Sequence, residues 1–305
     1  MDVVLIHLGG RAPRYFGVAA EQVRNITGRR PLSVLPRLAR RYAGERLVRF
    51  RESERLSAMG LNGFWRYACE RFLVLEEFMR AQGVDRCLHI ESDNLLYVAP
   101  AEFEQWLLGA FGTDIATCPM TDDEDSAGVM YVGSLAALAA FNEQLLGLVA
   151  LGPERLLADY GGQMGHEMRM LHLLRTHFGL SRALPTTIAS AAEVGSPVVF
   201  DAASYGQWVD GTPGTAGVPY AGDHHIVGRA FLAGDVELLW NAQRSAPFLR
   251  SGQESGPLHP LANLHVHSKR LALWSTPVAP APPVAPGPLA PARRLRRKAL
   301  GSRSS

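Results

Sequence analysis

Two carboxylates, Glu91 and Asp93, stand one residue apart directly after the short apolar segment 86–90. The alternation of that segment predicts a strand, and in an α/β sheet ligands bind at the carboxyl ends of strands. Two carboxylates at this spacing can share a divalent cation, directly or through water. The motif therefore predicts a site for a metal and a diphosphate.

A second group of chemically capable residues lies near the end of the chain, at His265, His267 and Lys269. On a strand, His265 and His267 point to the same face, where a neutral imidazole can complete a metal site dominated by oxygen ligands. The ammonium group of Lys269 can meet phosphate charge. For either histidine, a purely structural role in the core is the alternative.

The elements that must position these residues alternate between strands and helices. A helix is predicted over 62–82, because apolar residues recur there every three or four positions and Gly83 follows as a terminator. The segment 3–8, closed by Gly9 and Gly10, is predicted as the first strand. Further strands are predicted at 47–50, 86–90, 114–119, 128–132 and 263–267, and further helices at 12–26, 102–111, 135–149 and 164–176, with loops and short strands over the irregular region 185–260. The alternation favours an α/β fold of three layers with a mostly parallel central sheet.

Composition and charge narrow the classes of function. The chain has 305 residues, 47% hydrophobic and 20% charged, as in an ordinary globular protein. Six of its 31 basic residues fall in 293–305 without an acidic residue, which leaves 25 basic against 29 acidic residues in the remainder. We therefore do not expect the part of the protein before the tail to bind nucleic acid through a basic surface. The low-complexity segment 276–305 is predicted to be a disordered tail whose basic end could touch anionic lipid weakly.

Several catalytic and targeting motifs are missing from the sequence. It contains no phosphate-binding G-x-x-x-x-G-K-[ST] loop, no G-x-S-x-G nucleophile elbow, no H-E-x-x-H helix and no G-x-G-x-x-G fingerprint. The three scattered cysteines do not form a disulfide framework or a metal knuckle, and the first residues lack the features of a signal peptide. A cytoplasmic location is expected.

Five segments together resemble the nucleotide-sugar-dependent glycosyltransferases of the GT-A fold. They are IHLGG at 6–10, FWRYACERFLVLEEF at 64–78, CLHIESDN at 87–94, GVMYVGS at 128–134 and NLHVHSK at 263–269. The resemblance covers about 1–275 and implies a single Rossmann-type three-layer sandwich, with a donor-binding half at about 1–134 and an acceptor-side half at about 135–275.

The resemblance also implies roles for individual residues. Family members carry a D-x-D motif and a late histidine on Mn or Mg, so the implied ligands are Glu91, Asp93 and either His265 or His267. Glu91 departs from the pattern, because it replaces the first aspartate and lengthens the reach of the carboxylate. The implied donor contacts are His7, Gly9 and Gly10 at the nucleoside, Arg71 at the donor and Lys269 at the diphosphate.

The implied reaction is transfer of a sugar from a nucleotide sugar to a glycan or another hydroxyl acceptor, with no part for nucleic acid. A base would deprotonate the acceptor if the reaction inverts the anomeric centre, and Glu167 and Asp201 are the first candidates. Two other functions stay open. One is a sugar-nucleotide nucleotidyltransferase, and the other is an inactive protein that binds a glycan or a nucleotide sugar.

Overall fold

The computed structural model describes residues 1–59, 63–220, 222–241, 245–252 and 256–276. The predicted disordered tail lies almost wholly outside the described residues. The division into donor-binding and acceptor-side halves stays a prediction.

A six-stranded sheet forms the centre of the molecule. Its strands are β1 (Asp2–Ile6), β2 (Leu32–Val34), β3 (Cys87–Ile90), β5 (Ile115–Pro119), β6 (Asp125–Val132) and β7 (Arg182–Ala183). Their order is β2-β1-β3-β6-β5-β7, and only β6 runs antiparallel to its two neighbours. The predicted α/β class with a mostly parallel sheet is confirmed.

Two smaller sheets complete the strand set of the described residues. β4 (Asn94–Leu96) pairs antiparallel with β11 (Asn263–His265), and β8 (Val236–Trp240), β9 (Pro247–Ser251) and β10 (His259–Pro260) form an antiparallel sheet in the order β10-β9-β8. The pairing of β4 with β11 brings residues 263–265 back to the turn after β3.

Helices cover both faces of the central sheet. They are α1 (Arg14–Thr27), α2 (Pro36–Ala39), α3 (Glu45–Ser53), α4 (Phe64–Gln82), α5 (Pro100–Phe111), α6 (Leu135–Leu151), α7 (Pro153–Tyr160), α8 (Glu167–Thr176), α9 (Ile188–Glu193), α10 (Ser204–Asp210) and α11 (Ile226–Ala233). Val4 and Ile6 pack into a core with Phe72 of α4, whereas Val3 of the same strand packs on the opposite face with Phe103 of α5. Because successive side chains of β1 point to opposite faces of the sheet, the strand contributes to both cores. The sheet is therefore the middle of three layers, with helices on either side.

Three predicted elements differ from the structure. The predicted strand 47–50 is part of α3, where Leu47 and Phe50 are buried three residues apart on one helical face. The last predicted strand ends at His265 instead of 267, and Lys269 adopts a left-handed backbone with φ +66°. The region 185–260, predicted as loops and short strands, contains the helices α9, α10 and α11 in addition to the strands β8, β9 and β10.

Within the described residues, no single helix has both the length and the apolar character to cross a membrane. α6 and α7 meet that test only as a pair, and the pair is bent by 103°.

A buried ion pair fixes α8 to the sheet. Asp125 of β6 has no exposed surface, and both of its oxygens accept hydrogen bonds from the guanidinium of Arg175, at 2.6 and 2.8 Å. Thr117 of β5 donates a third hydrogen bond at 3.0 Å. Burial acts to raise the pKa of Asp125, but Arg175, with His172 and Thr117, outweighs it and holds the pKa below its usual value.

Replacing Arg175 with leucine leaves the Asp125 carboxylate buried without its counter-ion, so we expect the free energy of unfolding to fall by about 3–5 kcal/mol. Chemical denaturation measures the change. Arg155→Leu is the matched control, because Arg155 pairs with Asp159 on an exposed helix surface, and its loss costs at most about 1 kcal/mol. Equal losses in the two variants would contradict the role given to Arg175.

Candidate functional site

The acidic turn after β3 is held between two backbone hydrogen bonds. The Glu91 N–H donates to Gly128 O of β6 at 2.9 Å, and the Asn94 N–H donates to Glu91 O at 3.0 Å. Both side chains of interest, Glu91 and Asp93, lie at the carboxyl end of β3. This is the edge of the sheet where the sequence predicts ligand binding.

β11 carries His265 to this turn from 172 positions away in the sequence. The residue directly opposite it in the β4–β11 pair is Asn94, and the Val266 N–H donates to Asp93 O at 2.9 Å. His265 Nε2 consequently lies 3.1 Å from Asp93 Oδ2 and 3.4 Å from Glu91 Oε2. One ligand atom from each of the three residues lies within 4.8 Å of the others.

A chain of buried amides holds β11 in place. Asn94 Nδ2 donates to Gly128 O at 3.0 Å, Asn263 Nδ2 donates to Asn94 Oδ1 at 2.7 Å, and Asn263 Oδ1 accepts from the Asp201 N–H at 3.0 Å. None of these three side chains has exposed surface. A buried amide without a hydrogen-bond partner costs free energy, so this series of hydrogen-bonded side chains has few alternative arrangements.

Asp201 ends this chain. Its carboxylate accepts three backbone hydrogen bonds, from Tyr205 and Gly206 at the start of α10 and from His265 itself, at 2.8–2.9 Å. The side chain is fully buried. Burial raises its pKa, and the three N–H groups act in the opposite direction. The predicted role of Asp201 as a base stays a prediction that these contacts do not support, whereas a role in positioning His265 follows from them directly.

Lys269 supplies positive charge at Asp93. Its ammonium group donates to Asp93 Oδ2, the same oxygen that His265 approaches. Burial acts to raise the pKa of Asp93, but His265 and Lys269 outweigh it and hold the pKa well below its usual value. The left-handed backbone of Lys269 is unusual for a residue other than glycine, and such strain is concentrated at functional sites.

Arg71 joins the acidic turn to α8. From α4 its guanidinium forms ion pairs with Glu91 and with Glu167, the latter at 2.6 Å. Glu167 is 3% exposed, and burial raises its pKa to about 6 although Arg71 acts to lower it. The structure therefore brings Arg71 and Glu167, two residues predicted for different roles, into one buried network with Glu91.

His267 lies beyond the end of β11 and outside the carboxylate group. The side-chain amide nitrogen of Gln207 donates to His267 Nδ1 at 3.0 Å, and the ring centroids of His265 and His267 are 5.8 Å apart. Burial lowers the pKa of His267 to about 4. Between the two histidines that the sequence left open, His265 is the one that can join Glu91 and Asp93 on a cation.

The loop after β1 approaches the same edge of the sheet. The His7 N–H donates to Val34 O at 3.0 Å, and Gly9 and Gly10 adopt left-handed φ values of +80° and +56°. A Cβ at Gly9 would lie only 2.8 Å from the ring of Tyr67, so this close approach of loop and helix requires glycine. Nucleoside contact by these residues stays a prediction.

Tyr15, at the start of α1, was missed by the sequence analysis. Its half-buried ring centre lies 6.0 Å from Lys269 Nζ. Burial raises the pKa of Tyr15, and the negative charge of Asp93 acts in the same direction. Its position in the sequence, just after a strand and a glycine turn, is the only signal that could have indicated it.

The chemistry of the donor set fits a divalent cation. Glu91 and Asp93 offer carboxylate oxygens and His265 offers Nε2, a combination of oxygen and nitrogen ligands that could hold a metal ion. His265 Nδ1 is buried without a hydrogen-bond partner among the described residues, and a Cβ at Gly128 would lie 2.7 Å from it. Gly128 therefore leaves the space that the imidazole ring occupies.

Comparisons with known proteins add little at the level of sequence. Neither a protein-family model nor a curated protein matches the chain. Among solved structures, it is similar to mouse xyloside xylosyltransferase 1 in its apo form, with a TM-score of 0.41 and 11% identity over 60% of this chain and 84% of that one. It is also similar to a glycosyltransferase involved in the glycosylation of the major capsid of PBCV-1, with a TM-score of 0.34 and 11% identity over 63% of this chain and 88% of that one. Similarities of this size assign no role to any residue.

The space at Gly128 yields a test of the cation site. Gly128→Ala forces the His265 ring and the Asn94 amide to shift, since the new Cβ would meet them at 2.7 and 3.1 Å. We expect Mn affinity, measured by calorimetry, to fall by roughly 10–100-fold, as when a residue supporting a metal ligand is lost. The matched control is Gly109→Ala on α5, where a Cβ meets nothing within 4 Å. Unchanged Mn affinity in Gly128→Ala would contradict His265 as a ligand.

Proposed function

We propose that the chain is a glycosyltransferase that moves a sugar from a nucleotide-diphosphate donor to a hydroxyl acceptor with the help of Mn or Mg. The observation that carries the proposal is the arrangement around Asp93. One of its oxygens faces both His265, as part of a cation-binding group, and the ammonium of Lys269. A cation site and a fixed positive charge side by side suit a diphosphate.

The charges of the site match the demands of the reaction. When a nucleoside diphosphate leaves a sugar, negative charge develops on its phosphate oxygens, and groups that are already positioned there stabilise it best. Lys269 is such a group, because its strained backbone and its bond to Asp93 fix its position before any ligand arrives. The cation, when bound by Glu91, Asp93 and His265, supplies Lewis-acid stabilisation of the same charge.

Glu167 is the base in this proposal. Its carboxylate is anchored by Arg71 in the same network as Glu91, whereas both oxygens of Asp201 are occupied by backbone N–H groups. A raised pKa makes a carboxylate a stronger proton acceptor while it remains mostly ionised at neutral pH. Arg71 acts as a positioning residue, because its guanidinium pairs with both Glu91 and Glu167 and orients the two carboxylates.

Titration of UDP and GDP with and without Mn tests the donor site. We expect one nucleotide to bind tightly only when Mn is present, and Asp93→Asn to abolish this dependence because a ligand and the partner of Lys269 are lost together. The matched control is Asp122→Asn, whose side chain is 78% exposed and pairs with Arg229. Metal-independent binding, or equal binding by Asp93→Asn, would contradict the proposal.

The products then distinguish the classes of function. Incubation with the sugar donor that carries the preferred base should release a nucleoside diphosphate when acceptor hydroxyls are supplied. Release of pyrophosphate from a nucleoside triphosphate and a sugar phosphate would instead indicate nucleotidyl transfer. Binding without either product would indicate an inactive sugar-nucleotide-binding protein.

The pKa of Glu167 predicts a pH profile. Because a base must be deprotonated, kcat/KM should rise with pH through a midpoint near 6 and level off above it. Glu167→Gln should remove this limb and lower kcat by about 10²–10⁴-fold. The exposed Glu193→Gln is the control. A limb that persists in Glu167→Gln would exclude Glu167 as the base.

A further inference from the structure

The arginines of the chain are not distributed as its net charge suggests. Residues 7–44 contain eight arginines and a single acidic residue, Glu21, which pairs with Arg24 on α1. Because basic and acidic residues nearly balance outside the tail, the net charge does not reveal this segment. The tail is therefore not the only arginine-rich segment of the chain.

The fold gathers five of these arginines at one edge. β1 and β2 are parallel, so their carboxyl ends lie at the same side of the sheet. Arg11 and Arg14 follow β1, and Arg37, Arg40 and Arg41 follow β2. We call these five residues the basic rim. It lies at the edge of the sheet that also carries Glu91, Asp93 and His265.

The basic rim has no counter-charge of its own. All five arginines are exposed, and none forms an ion pair with a carboxylate in the part of the chain that the structure describes. Other exposed arginines do form such pairs, among them Arg49 with Glu143, Arg155 with Asp159 and Arg229 with Asp122. A concentration of uncompensated charge destabilises the free protein slightly, and an anionic partner relieves it.

Two exposed apolar side chains accompany the rim. Leu35 is 37% exposed and lies between β2 and α2, next to Arg37. Phe64 is 53% exposed and begins α4, whose first turn reaches the loop after β1 through Tyr67 and Gly9. Arginine together with leucine and phenylalanine is the composition of a surface that lies in the headgroup region of a membrane.

We propose that the basic rim docks on an anionic bilayer surface, with the carboxyl edge of the central sheet facing the lipid. Guanidinium groups bind phosphate and carboxylate in a bidentate manner, and the negative surface potential attracts each of them. Leu35 and Phe64 enter the boundary between headgroups and acyl chains. Nucleic acid fits less well, because the leucine among the arginines would face a charged phosphate backbone. The inference does not depend on the proposed reaction.

Vesicle sedimentation with the full chain tests the docking surface. The protein should bind vesicles of phosphatidylcholine with about 30% phosphatidylserine, and bind pure phosphatidylcholine far less. Arg37→Gln, Arg40→Gln and Arg41→Gln together should weaken binding on the order of 100-fold, since three attracted charges are lost. The same positions changed to lysine should keep most of the binding, because the charge remains.

The matched control removes three arginines elsewhere, by Arg155→Gln, Arg182→Gln and Arg250→Gln, and should bind as the parent does. Thermal unfolding shows that each variant is folded.

Unweakened binding by the glutamine variant of the rim would overturn the proposal. So would loss of binding only when the six basic residues of 293–305 are changed to glutamine, which would assign the membrane contact to the tail. Tighter binding of single-stranded DNA than of anionic vesicles would assign a nucleic acid partner instead.

Discussion

Compensation of four carboxylates, three of them buried and one half-buried, is the constraint on which the site and its surroundings depend. Glu91, Asp93, Glu167 and Asp201 converge where the turn after β3, the start of α8 and β11 meet. An ionised carboxylate removed from water costs several kcal/mol unless charge or hydrogen bonds replace its hydration. Three sets of partners serve the four carboxylates: Arg71 pairs with Glu91 and Glu167, Lys269 and His265 contact Asp93, and three backbone N–H groups donate to Asp201. These partners come from distant parts of the sequence, so the folded site is also what fastens β11 and α8 to the sheet.

This arrangement separates residues that bind from residues that position. Asp201 holds the backbone of His265, and Asn263 and Asn94 hold the strand pair on which it lies. Gly128 and Gly206 provide space: a Cβ at Gly206 would lie 1.9 Å from His265 O, and one at Gly128 would meet the imidazole ring. His265 is therefore closely packed at its ring by Gly128 and at its backbone by Gly206, as a ligand that must not reorganise on binding would be.

The elements with clear periodicity and the motifs at strand ends could be predicted from the sequence. The helix at α4 and the acidic turn after β3 follow from local pattern, and the spacing of His265 and His267 indicates a second ligand group. The ion pair of Arg71 with Glu167 could not be predicted, because it joins residues 96 positions apart through the packing of two helices. The strand predicted at 47–50 is wrong because four residues are too few to distinguish a strand from one face of a helix. In the structure, Leu47 and Phe50 are the buried residues of α3. The basic rim could not be predicted from the net charge. The net charge sums over the whole sequence and does not show which charged residues share a surface.

The balance of charge at the site couples its two predicted ligands. Apart from Asp201, which backbone groups satisfy, three carboxylates face two permanent cations, Arg71 and Lys269. The remaining negative charge favours a divalent cation, and a bound divalent cation would reverse the sign of the excess. A diphosphate beside Lys269 offsets that positive charge, so each ligand strengthens the binding of the other by the same factor. The cation and the diphosphate carry opposite charges and would both lie beside Asp93 and Lys269, so the network around Asp93 favours the two together.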